Sequence, residues 1–340
     1  MNIAVLFGGI SPERNVSLKG GKAVVNALKS LGYNVKPVDP ALGANCLVDI
    51  DNIEIPGRTP TDEELMQYPT SNLIKAIDSE VFNDVELAFL VLHGINGEDG
   101  KMQALLELRG IPYTGSDVKA SSLAIDKSSS KMVFHASGIL TAPWIIARRS
   151  DLDNFEFLEE IRSEIGGRVV FKPNDQGSSI GVNIIDSGNL DEMHEALKDT
   201  LQYSNTAIIE PFIGGQEITV GIIGGESLPI VEIIPGEGFY DYEHKYTKGQ
   251  SEYICPAELT PDIDEFTRGI AETAFAELGC SGFARADFRL NDEGQPFIME
   301  MNTIPGFTET SLVPMAAKEL DIDFPELCQR IIDLAIEKNQ

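Results

Sequence analysis

Cysteine is scarce and scattered. The four thiols, Cys46, Cys255, Cys280 and Cys328, make no C-x-x-C pair, so a structural zinc site is not expected. Basic residues are also few. Lys and Arg number 26 against 54 Asp and Glu, a formal net charge of −28. That balance argues against a nucleic-acid binder or a protein held to an anionic membrane. No run approaches the roughly 20 apolar residues of a spanning helix. The opening Met1 to Gly9 is too short for a signal h-region and has no basic lead. No GKS or GKT tripeptide occurs, which excludes a Walker A loop. Internal repeats and low-complexity tracts are missing too. What remains is the profile of a soluble cytoplasmic protein with reduced thiols. Its 340 residues are 42% hydrophobic and 7% aromatic, ordinary for a folded globule despite the acidity. At roughly 150 residues per domain, two or three domains are expected.

The N-terminal third has a strand–helix–strand rhythm. Ile3 to Phe7 is a short apolar run ending in Gly8-Gly9, the mark of a strand buried on both faces. Helical spacing follows from Val16 to Leu31, stopped by Gly32. Strands are expected at Asn34 to Val38 and Leu87 to Leu92, and a helix at Lys101 to Arg109. This is the signature of a doubly wound parallel sheet, ending near residue 115. Between Asp39 and Leu87 the pattern weakens to turn punctuation with a short helix near Leu73. A second unit, 116–210, holds a helix bearing Lys127 and Lys131. Strands near Trp144, at Val169 to Lys172, Val182 to Ile185 and Ala207 to Glu210, and a helix from Leu190 to Leu201, complete it. A third unit, 211–340, carries strands at Glu217 to Ile223, Leu228 to Ile234, Gly282 to Leu290 and Pro296 to Met301. Its helices lie at Phe266 to Leu278 and Phe324 to Glu337.

Five segments carry candidate chemistry. Strand alternation places Arg285 with Asp287, and Glu300 with Asn302. With an even-numbered turn between the strands, 285 would face 300 and 287 would face 298. All four residues would then share one face. Two carboxylates and an amide oxygen suit Mg²⁺ shared with phosphate, although in so acidic a chain a solvated strand face is an equal alternative. Lys172 opens a Gly/Ser loop through Gly181, which could cradle phosphate or be a plain hairpin turn. His93 to Gly100 and Gly8 to Arg14 are loops after buried strands, so His93 and Glu13 could face one cleft. Each also has a structural alternative, a hydrogen-bonded core histidine and a first-turn acid. Gly238 to Tyr246 crowds aromatics and charges between glycines, like a lid or a surface excursion.

Taken in order, these segments resemble the D-alanine–D-alanine ligases of the ATP-grasp superfamily. The resemblance covers nearly the whole chain. It rests on Leu6 to Ser17, His93 to Gly100, Pro112 to Ser116, Lys172 to Gly181, Phe239 to Tyr246, and Glu300 to Thr308 with Ser311-Leu312. It implies a three-unit α/β ATP-grasp architecture, the parallel N-terminal sheet followed by two α+β units enclosing ATP. It further implies ATP-dependent joining of two D-alanines through an acyl phosphate, for peptidoglycan precursor synthesis. Lys127, Lys172 and Lys245 would meet the ATP phosphates, with Ser179 of the loop beside them. Glu210, Phe212 and Ile213 would meet the adenine, and Glu217 the ribose. Asp287, Glu300 and Asn302 would hold two Mg²⁺, or Mn²⁺. Glu13 and His93 would serve the first D-alanine, and Ser311 with the Leu312 N–H the second. Arg285 and the Gly306 N–H would stabilise the oxyanion. Glu13, Ser178 and Tyr246 would form a closing hydrogen-bond set. A homodimer is implied in the same way.

Two departures stand out. The Asp39 to Leu87 stretch is longer than in the shortest members. Pro211 replaces a common lysine and removes a backbone donor from the adenine segment. Alternatives are a D-alanyl-D-lactate or D-alanyl-D-serine ligase, another ATP-grasp carboxylate–amine ligase, or a nucleotide-binding regulator without chemistry. Tyr246 argues against the lactate form, and the intact Asp287, Glu300 and Asn302 argue against the regulator.

Overall fold

A computed structural model describes residues 1–236 and 251–338. β1 (Asn2–Leu6) is almost wholly buried, as an apolar strand covered on both faces must be. α1 (Arg14–Ser30) presents Leu18, Val24, Val25 and Leu28 to the interior at helical spacing. It lies so close to β1 that a Cβ on Gly21 would fall 2.3 Å from the Phe7 ring. β2 (Asn34–Val38) follows. The stretch hard to read in sequence contains α2 (Asp62–Met66) and α3 (Ser71–Ile77). Thr61 and Glu64 cap α2 reciprocally, satisfying two first-turn donors. β3 (Leu87–Leu90) and α4 (Lys101–Arg109) complete the N-terminal part. The sheet order is β2-β1-β3, all parallel, as expected.

Next come α5 (Val118–Ile125) and α6 (Lys127–Ala136); α6 is the expected helix bearing Lys127 and Lys131. Asp126 separates them, ending one and capping the other through Ser129 N–H. β4 (Ile145–Arg148), α7 (Phe155–Ile165), β5 (Arg168–Pro173), β6 (Asn183–Asp186), α8 (Leu190–Tyr203) and β7 (Thr206–Pro211) follow. The sheet β4-β7-β5-β6 is antiparallel. Leu158, Ile161, Met193 and Leu197 of α7 and α8 cover its apolar face.

A six-stranded antiparallel sheet comes last. It is built from β8 (Gln216–Ile223), β9 (Glu226–Ser227), β10 (Val231–Pro235) and β11 (Ser251–Ile254), joined after α9 (Pro261–Glu277) by β12 (Phe283–Leu290) and β13 (Pro296–Asn302). α10 (Leu312–Lys318) and α11 (Phe324–Lys338) end the described chain. Ala120, Ala124 and Phe134 of α5 and α6 pack in one core with Ile218, Ala286 and Met301 of this sheet. α11 returns to α1, so Leu327, Ile331 and Ile332 share a core with Val5, Phe7 and Leu28. That crossing ties the two ends of the chain together.

One expectation needs correction. Arg285 pairs with Asn302 and Asp287 with Glu300, after which the register shifts and Phe288 meets Ile298. Met299 is the extra residue of a bulge, which uniform strand alternation cannot anticipate. The shift sets the two carboxylates directly opposite each other.

Candidate active site

The carboxyl ends of β1 and β3 deliver two loops to one edge. Ser11 Oγ donates to the His93 carbonyl at 2.7 Å, and Ser17 Oγ to the Val91 carbonyl at 2.5 Å, stitching them together. Glu13 and His93 therefore do face one cleft. Arg14 braces the first loop with hydrogen bonds to the Gly9 carbonyl and the buried Asp39 carboxylate, its guanidinium stacked on Tyr68. His93 Nδ1 lies 2.8 Å from the Ile304 carbonyl and 3.5 Å from Glu98 Oε1, while buried Nε2 has no hydrogen-bond partner among the described residues. Burial opposes the imidazolium, but Glu98, Glu13 and the Ile304 carbonyl together hold its pKa above the usual value.

The Gly/Ser loop after β5 crosses toward this edge. Ser178 and Ser179 take left-handed backbone angles, φ 52° and 58°. Gly181 is also left-handed at φ 68°, where a Cβ would sit 2.4 Å from the Tyr203 ring. The strained turn aims Ser178 Oγ at Glu13 Oε1, to which it donates. At the start of α6, Lys127 Nζ donates to the Gln176 carbonyl at 2.6 Å and pairs with Glu300 at 3.0 Å.

Two cavities meet here. The first is lined by Lys127, Lys172 and Ser179 and by Phe212 and Ile213. Phe212 is flanked by the Arg168 and Arg289 guanidiniums at 4.4 and 5.4 Å from its centroid. Arg289 also pairs with Glu217 at 3.1 Å and donates to the Ile213 carbonyl. Beneath lie three buried charges. Glu210 meets Lys172 at 2.5 Å and Lys131 at 3.0 Å. Burial pulls the Lys131 ammonium down to about 8 against the pull of Glu210. Burial would raise Glu210, but the two lysines outweigh it and hold it below the usual carboxylate range.

The second cavity gathers Glu13, His93, Ser178, Arg285, Gly306, Ser311 and Leu312. Glu217, Asp287 and Glu300 line both cavities, and Asn302 lines the second. Arg285 grips Asp287 with two hydrogen bonds of 2.7 Å, and Thr219 Oγ1 adds a third at 2.6 Å. Ser311 is the N-cap residue of α10, and its hydroxyl accepts from Thr308 N–H at 2.9 Å.

Among the described residues, no three His, Cys, Asp or Glu side chains cluster as a ready metal cage. Asp287 and Glu300 instead offer two carboxylates at the shared wall, and Asn302 one amide oxygen beside them in the second cavity. That hard, incomplete set fits Mg²⁺ or Mn²⁺ completed by phosphate oxygens and water. Arg285 and Lys127 supply the neutralising charge in this structure.

All the expected site residues that the structure describes border one or other cavity. Lys245 and Tyr246, and with them the expected lid, lie outside the described residues. Three neighbours had been passed over. Lys131 stands one turn after Lys127 on the same helix face, a spacing the sequence displays. Arg289 continues the alternation of Arg285 and Asp287 along β12. Glu98 had only its place in the loop of His93.

The chain matches family models described as D-ala D-ala ligase N-terminus over residues 2–116 and D-ala D-ala ligase C-terminus over 133–333. It is 42% identical over 334 residues to a D-alanine–D-alanine ligase of Methylacidiphilum infernorum (isolate V4), covering 98% of this chain and 95% of that one. With the D-alanine–D-alanine ligase of Magnetococcus marinus it shares 39% identity, covering 97% and 96%. The crystal structure of D-alanine–D-alanine ligase from Bacillus anthracis superposes with a TM-score of 0.78 at 31% identity, covering 99% and 98%. The form complexed with ATP gives 0.76 at 30%, covering 99% and 97%.

Proposed function

The chain belongs to the D-alanine–D-alanine ligase family, and from that premise we propose that this cleft joins two D-alanines at the expense of ATP, supplying peptidoglycan precursors. The observation that carries the reading is the wall of Asp287 and Glu300 shared by two cavities, with Asn302 beside it in the second; the first is lined by Lys127, Lys172 and Phe212, the second by Glu13, His93, Arg285 and Ser311. ATP is assigned to the first cavity, adenine between Phe212 and Ile213, ribose at Glu217, phosphates at Lys127, Lys172 and Ser179. Lys245 is assigned to the γ-phosphate. The first D-alanine lies in the second cavity, its ammonium at Glu13 beside His93. Its carboxylate attacks the γ-phosphate, forming an acyl phosphate and releasing ADP. Ser311 and the Leu312 N–H hold the carboxylate of the second D-alanine. Its amine, once deprotonated, attacks the acyl carbon, and phosphate departs as the amide forms. Arg285 and the Gly306 N–H stabilise the oxyanion of that addition. Ser178 orients Glu13, with Tyr246 the third member of the set. Two divalent cations held by Asp287, Glu300 and Asn302 would neutralise phosphate charge during transfer.

The same reading makes 1–115, 116–210 and 211–340 the functional units, the protein cytoplasmic and its assembly a homodimer. No described helix is long and apolar enough to cross a membrane. The test is incubation with ATP, Mg²⁺ and D-alanine, with dipeptide and phosphate both quantified. Dipeptide and phosphate in equal amounts are expected. Phosphate without dipeptide, or neither, would reject the assignment.

A further inference from the structure

This inference rests on the reading that the first cavity binds ATP. We propose that Lys131 is a positioning residue: it neutralises Glu210 so that Lys172 can leave that carboxylate and engage the nucleotide's phosphates. Lys131, Lys172 and Glu210 are buried together, with side-chain exposures of 1%, 9% and 8%. Two ammoniums therefore share one carboxylate, and the surplus positive charge faces the cavity both lysines line.

The two lysines are held very differently. The Lys131 ammonium donates to Thr141 Oγ1 at 2.6 Å and to the Ala142 carbonyl at 3.0 Å. Glu210 Oε2 lies 3.0 Å away as an ion pair without hydrogen-bond geometry. Thr141 is itself anchored by donation to the Ile298 carbonyl at 2.8 Å on β13, and the Trp144 ring flanks the ammonium. Lys172 meets only Glu210 Oε1, at 2.5 Å, among the described residues. Lys131 is thus fixed, while Lys172 has donors to offer an incoming anion. A buried carboxylate stripped of its last cation is strongly disfavoured. With Lys131 present, Glu210 keeps a partner when Lys172 turns away. Without it, Glu210 would hold Lys172 and compete with the phosphates for it.

The test compares affinity for ATP and for adenosine, which lacks phosphates, by titration calorimetry of the full chain with Mg²⁺ present. For Lys131→Met, we expect the ATP Kd to rise about tenfold or more while the adenosine Kd holds, a selective loss of at least ~1.4 kcal/mol. Equal loss for both ligands would mean that Lys131 merely shapes the cavity, and no loss for either would mean that it does nothing; each overturns the inference. Should that variant not fold, Glu210→Gln is compared with the double variant Glu210→Gln/Lys131→Met, where no buried carboxylate needs a cation. The ratio of ATP to adenosine affinity should then be the same in both. A further fall in the double variant would refute the hand-over. If the parent binds neither ATP nor adenosine, it is the assignment of the cavity that fails.

Discussion

Replacing Glu300 with Gln probes the shared wall with the least change in shape. Glu300 stands opposite Asp287 on β13, its carboxylate 3.0 Å from Lys127 and its side chain 25% exposed. The amide keeps volume and one acceptor oxygen, so β13 and its bulge should persist. What disappears is one of the two negative charges that would hold divalent cations. At ~1.4 kcal/mol per tenfold, a loss of ~4 kcal/mol of transition-state stabilisation is a thousandfold in turnover. The cost to the fold should be much smaller, about 1 kcal/mol, because the lost pair with Lys127 is partly solvated. The assay is phosphate release under saturating ATP and D-alanine across a Mg²⁺ series, beside a thermal melt. We expect turnover to fall on the order of a thousandfold with a melting shift of a few degrees. Turnover within a few-fold of the parent at ordinary Mg²⁺ would refute the metal-wall reasoning.

Two other perturbations test the scaffold. Gly181→Ala places a methyl group in a left-handed turn and within 2.4 Å of Tyr203; we expect a loss of about 1–3 kcal/mol in chemical denaturation, and an unchanged midpoint would contradict the turn geometry. For His93 the folded pKa lies above the usual value, so its stabilising contribution is fully present below the unfolded pKa and fades as pH rises through the folded one. His93→Gln should therefore lower the melting temperature more at about pH 6 than at about pH 8.5; equal losses at both would show that no proton-linked interaction is made.

Much of the architecture was legible because burial leaves a mark on residue order. β3, and β1 after Asn2, are apolar since helices cover both faces of the parallel sheet, and Lys101 to Arg109 ends at a glycine that closes the helix left-handed. Other features depend on contacts that the chain makes only when folded. The bulge at Met299 is set by pairing of β12 with β13, and nothing local announces it. α7 was legible too and is absent from the sequence reading: Asn154 caps it through Phe157 N–H, and Leu158, Ile161 and Ile165 stand at helical spacing, although Phe155 stays exposed. The Thr61 and Glu64 capping pair was likewise present in a stretch read as turns with one short helix near Leu73, which is α3. Lys131 shows the limit for charged residues. A lysine at helical spacing reads as a solvated face, and only its complete burial against Glu210 makes it part of the site.

The chemistry at the wall has a direct isotopic signature. If the first D-alanine carboxylate attacks ATP and the second amine then displaces phosphate, one carboxylate oxygen leaves in that phosphate. D-Alanine labelled with ¹⁸O in its carboxylate, incubated with this protein, ATP and Mg²⁺, should yield D-alanyl-D-alanine and inorganic phosphate in equal amounts. Each phosphate should carry one labelled oxygen. Dipeptide accompanied by unlabelled phosphate would contradict the acyl-phosphate route, and labelled D-alanine recovered intact with no dipeptide would contradict the ligase assignment itself.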